Sequence, residues 1–79
     1  MDIELGRMVA GAANRAGAEL GDLALLIKDH VTPEEREVLR LAIGSAVFET
    51  GELMERVFAL CPGLREEFEG RLEKYLRCY

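Results

Sequence analysis

The chain has 79 residues, 49% of them apolar and 32% charged, the balance of one small globular domain spanning residues 1–79 rather than of a disordered tail. Fifteen acidic against ten basic side chains leave a net charge of −5, which argues against a general binder of nucleic acid or of anionic membranes. Two cysteines and one histidine are too few for a four-ligand zinc site or a disulfide scaffold, and no cofactor motif is present.

No apolar run approaches the ~20 residues that cross a bilayer. The acidic start Met1-Asp2-Ile3-Glu4 is unlike a signal peptide, so a cytoplasmic location is expected. No stretch alternates apolar and polar residues long enough to ask for a strand, and the pattern predicts an all-α chain.

The first predicted helix covers residues 3–29. Leu5, Val9, Ala12, Ala16, Leu20, Leu23 and Ile27 recur at steps of four and three and form one narrow stripe. Its flanks are small: Gly6, Ala10, Gly11, Ala13, Gly17 and Gly21. A glycine inside a helix costs about 1 kcal/mol relative to alanine, so close approach of another backbone is the expected compensation. A break at Gly21-Asp22, with Asp22 as a new N-cap, is the rival reading.

The second predicted helix runs over residues 33–60. Thr32 is its N-cap, Pro33 its first residue, and Glu34 and Glu35 face the positive end of its dipole. Leu39, Ile43, Ala46, Thr50, Leu53, Val57 and Leu60 make a heptad seam of the kind that packs on a nearly antiparallel helix, with Gly44 and Gly51 as weak points. After a turn at Pro62-Gly63, a third helix over residues 64–77 carries Leu64, Phe68, Leu72, Tyr75 and Leu76 on one face. Glu67 with Arg71 and Glu73 with Arg77 are spaced for surface ion pairs.

The expected architecture is therefore a long antiparallel hairpin plus a shorter third helix, a small bundle completed by oligomerisation. At 1.5 Å per residue the first two helices are about 40 Å long and the third only about 20 Å, so the third cannot cover the whole hairpin. Val38, Leu41 and Phe48 project away from the heptad seam, which makes the first half of helix two apolar nearly all round. Helix three, a second copy or a different protein must meet that side.

Candidate chemistry is sparse. His30, in Lys28-Asp29-His30-Val31, has no nominated nucleophile, and a cation at a helix C-terminus is favourable in its own right. Cys61 reads as a small buried hydrophobe and Cys78 as an exposed thiol. Glu49, Glu52 and Glu55 recur every three residues, and Glu49 with Glu52 resembles the Glu-x-x-Glu elements that hold Mg²⁺ in all-helical nucleotide pyrophosphatases; those sites use a second acidic pair. The segment Thr32-Pro33-Glu34-Glu35-Arg36-Glu37-Val38-Leu39-Arg40-Leu41-Ala42 resembles the first helix of the helix-turn-helix in LuxR-type regulators. That resemblance implies a turn and a short scaffold helix over Gly44–Thr50 and a DNA-reading helix after them. Here the later helix opens Leu64-Arg65-Glu66-Glu67-Phe68-Glu69, whose acids would face phosphates.

The expectation is thus a non-catalytic, acidic helical protein-binding module, of adaptor, inhibitor, antitoxin or immunity type. It acts through helix-mediated contacts with itself or a protein partner, without nucleic acid or membrane. The candidate contact residues are Val38, Leu41 and Phe48, with Tyr75 and Tyr79 near the C-terminus because aromatics are enriched at interfaces. A helix-turn-helix regulator and a Mg²⁺-dependent hydrolase using Glu49 and Glu52 are the alternatives.

Overall fold

A computed structural model of the protein describes the backbone of residues 1–76 and the side chains of residues 1–70. The chain is all-α: α1 (Ile3–Ile27), α2 (Pro33–Leu60) and α3 (Leu64–Leu76), with no strand among the described residues. Both long helices are continuous, α1 through Gly21 and α2 through Gly51, and α1 stops two residues short of the expected end.

Local chemistry sets the ends. The Asp2 carboxylate accepts the Leu5 amide at 3.3 Å at the start of α1. At α2 a capping box is complete: Thr32 Oγ1 accepts the Glu35 amide at 3.2 Å and the Glu35 carboxylate accepts the Thr32 amide at 2.9 Å. Between α2 and α3, Gly63 takes φ +95°, a conformation that an L side chain resists, and the Leu64 amide donates to the Cys61 carbonyl at 3.1 Å.

The α1 side of the hairpin seam differs from the expected one. Of the large stripe, Leu5, Ala12 and Leu23 are exposed, Ala16, Leu20 and Ile27 are half-buried and Val9 packs on the core; the fully buried positions belong to the neighbouring small stripe. Gly6, Ala10 and Ala13 are buried, and Gly17, Leu20, Ala24 and Ile27, on the same heptad, are half-buried. A Cβ on Gly6 would stand 2.6 Å from Cys61 Sγ, and one on Gly17 would stand 3.0 Å from Thr50 Oγ1. Two of the four interior glycines of α1 are therefore explained by close approach of α2. Gly11 and Gly21 are not: neither lies against another helix. On α2 the seam keeps Ile43, Ala46, Thr50 and Val57, but Met54 and Cys61 turn inward where Leu53 and Leu60 were expected.

Packing is tightest at the open end, where Ala10, Val57, Cys61 and Leu64 form the core with Val9, Phe58 and Phe68 against it. Cys61 is buried as expected; Cys78 lies outside the described residues. α3 is fastened on one flank of the hairpin. Phe58 and Phe68 meet edge to face at 5.6 Å, and the Arg65 guanidinium sits 5.0 Å above the Phe58 ring while pairing with Glu55. Glu67 reaches Arg7 of α1 at 2.9 Å, a tertiary tie that helical spacing does not reveal.

Gly6→Ala is expected to destabilise the chain by about 1–3 kcal/mol despite alanine's better helix propensity, because the new methyl overlaps Cys61. Gly21→Ala, with nothing within 4 Å, is expected to stabilise it by about 0.4–1 kcal/mol. Chemical denaturation of both variants checks this, and similar losses in both would contradict the seam. The hydrogen bond from Arg65 holds the Glu55 carboxyl below its ordinary value. A lowered folded-state value contributes stability above the unfolded value near ~4.3, and the contribution is lost as pH falls through the folded one. Acid titration should therefore loosen α3, and Glu55→Gln should flatten that pH dependence.

Candidate functional site

The feature that stands out is uncovered apolar surface. Among the described residues, only Ala10, Ala13, Val57, Cys61 and Leu64 are buried hydrophobics, whereas fourteen large ones are exposed. The chain exposes 6135 Å², against roughly 4,800 Å² expected for a folded monomer of its 8.8 kDa mass. Its radius of gyration is 15.4 Å where about 12 Å is usual for this length. The cause is architectural: a hairpin is one layer, a domain core needs two, and α3 is too short to supply the second.

Two apolar surfaces result. The first is the outer ridge of α2. Val38, Leu41 and Phe48 are 67%, 58% and 64% exposed, and Leu41 and Phe48 border a shallow depression with Arg40, Gly44, Ser45 and Glu49. In the first half of α2, read from sequence as apolar nearly all round, Ile43 and Ala46 are half-buried and the other residues are exposed. Of the other two candidate contact residues, Tyr75 lies in α3 with its side chain outside the described set, and Tyr79 lies outside the described residues.

The second surface was not singled out from sequence. A groove of about 460 Å³ runs between α1 and α2, and Leu5, Met8, Ala12, Ala16, Thr50 and Leu53 contribute to its walls. Among the described residues, no charged residue and no residue of α3 lines it. Its signal in the sequence is the large stripe of α1, which in the expected hairpin reads as the face toward the second helix. A further groove of about 550 Å³ near the hairpin loop mixes Leu25 and Ile27 with Lys28, Arg36 and Arg40. Arg40 there pairs with Glu37 at 2.7 Å, which holds the Glu37 carboxyl below its ordinary value.

The polar candidates are dispersed. His30 is exposed in the α1–α2 turn, its amide donating to the Ile27 carbonyl at 3.0 Å. Glu52 lies 3.9 Å from Arg56, Glu55 pairs with Arg65, and Glu49 stands apart at the ridge. Among the described residues no group of three or more His, Cys, Asp or Glu side chains converges as a metal site would require. The turn implied by the LuxR-type resemblance is not formed, because Gly44–Thr50 is continuous α-helix. Among the described residues no helix is long and apolar enough to cross a membrane. No protein-family model, curated protein or solved structure matches this chain.

If the ridge takes no part in the fold of one chain, Val38→Ser and Leu41→Ser should change the unfolding free energy by no more than about 0.5 kcal/mol. Urea denaturation at low protein concentration reads this, and a loss of several times that size would place either residue in the core.

Proposed function

We propose that this chain is a small, non-catalytic helical protein-binding module, of the adaptor, inhibitor, antitoxin or immunity kind. It works in the cytoplasm through helix-mediated contacts with protein, its own copies included, and not through nucleic acid or membrane. The observation that carries this reading is that, among the described residues, five hydrophobics are buried and fourteen large ones exposed in a single-layer hairpin. Monomeric soluble proteins rarely leave contiguous apolar patches beyond a few hundred Å² open to water, and larger ones mark interaction surfaces. The net charge of −5 keeps such a surface soluble while it waits for a partner.

Phe48 is the most informative position, being a large aromatic that is 64% exposed on the ridge. Phe48→Asp should retain the helicity of the parent by circular dichroism and lose proteins that the immobilised parent chain retains from the source organism. Leu41→Asp should lose the same set. Retention of every partner by both variants, or unfolding of both, would contradict the ridge as a contact surface.

A further inference from the structure

We infer that the groove between α1 and α2 is filled by the same groove of a second copy, so that two hairpins stack face to face as a four-helix, two-layer dimer. This rests on the protein-binding reading above and names the partner of one of its two surfaces.

Four observations point to a second copy. The first is area. The surplus of roughly 1,300 Å² over a normal monomer, shared between the ridge and this groove, is large enough to supply the ~800 Å² per partner that a stable protein interface takes. The second is periodicity. On α1, Leu5, Ala12 and Leu23 stand exposed beside the half-buried Ala16 on a stripe that turns away from the buried core, and Leu53 and Leu60 continue one on α2 at seven-residue spacing. Unused heptad stripes call for another helix of matching period, and this chain carries such helices itself.

The third observation is charge. Two chains of net charge −5 repel across most of their surfaces. Among the described residues this groove is lined without a charged side chain, so two copies can approach there without setting like charges against each other. The fourth is shape and access. Leu5, Met8 and Leu53 stand as large walls around the small Ala12 and Ala16, so leucines of one copy can seat over alanines of the other. α3 does not obstruct the approach, because it is fastened through Phe58, which lies about 140° around α2 from Leu53.

The stack leaves Val38, Leu41 and Phe48 outside, available to a different protein. Met8 is 69% exposed, so Met8→Glu removes little packing within one chain; Ala12→Glu places a charge on the groove floor.

The test is light scattering on the reduced full chain over a dilution series, with the parent thermal midpoint measured at each concentration. The parent should weigh twice 8.8 kDa, and its midpoint should rise with chain concentration, as for a dimer whose fold is linked to assembly. Met8→Glu and Ala12→Glu should each weaken dimerisation at least about tenfold, and Phe48→Asp should leave the mass unchanged. A parent that stays at 8.8 kDa with a concentration-independent midpoint overturns the inference while leaving the protein-binding reading to its own experiment. A dimer broken by Phe48→Asp and untouched by both groove variants overturns it as well, by placing the interface on the ridge.

Discussion

The contact on which the molecule depends is the one between the small stripe of α1 and the middle and end of α2. Gly6, Ala10, Ala13 and Gly17 let the α2 backbone come close enough for Cys61 Sγ and Thr50 Oγ1 to occupy the space where side chains would otherwise stand. Close packing of this kind gains many short-range dispersion contacts, but it buries little area per residue. The larger side chains of both helices are displaced to the flanks, and Leu5, Met8, Leu53 and Leu60 remain between 45% and 69% exposed. One choice of seam therefore produces both a tight hairpin and an open apolar surface.

α3 repairs this at one end only. Leu64 and Phe68 complete a small core with Ala10, Val57 and Cys61, and the Arg65–Glu55 and Arg7–Glu67 pairs fix the helix against both long ones. Such pairs at the surface add little free energy each; what they add here is orientation. Toward the hairpin loop nothing plays the part of α3, and Leu23, Leu25, Leu26, Val38 and Leu41 are all exposed. The fold is firm at its open end and bare at its turn.

Most of the architecture was legible in the sequence. Thr32 and Pro33 mark the start of α2, Pro62-Gly63 marks its end, and the shortness of the third helix foretells an uncovered hairpin. The clustering of glycines in α1 implied a close neighbour, and at Gly6 and Gly17 the side chains of Cys61 and Thr50 are that neighbour. The stripe that faces α2 was misread because hydrophobic periodicity ranks side chains by how much they gain on burial. It has no means of telling a seam chosen for closeness from one chosen for area. Leu5 and Leu53 therefore looked like core and stand at the edge of a groove instead. The outer ridge of Val38, Leu41 and Phe48 was legible as a side that the first helix does not cover, and its exposure shows that α3 does not cover it either.

Small-angle X-ray scattering on an absolute intensity scale tests the central claim most directly, because it reads mass and shape together. Face-to-face stacking of two hairpins predicts a doubled forward intensity with the longest dimension still near that of one chain, whose Cα extents are 44 × 33 × 14 Å. The thickening is confined to the shortest of those dimensions. A particle of single mass, or a doubled mass with a markedly lengthened particle, would contradict it: the apolar layer would then be open, or closed by some other contact.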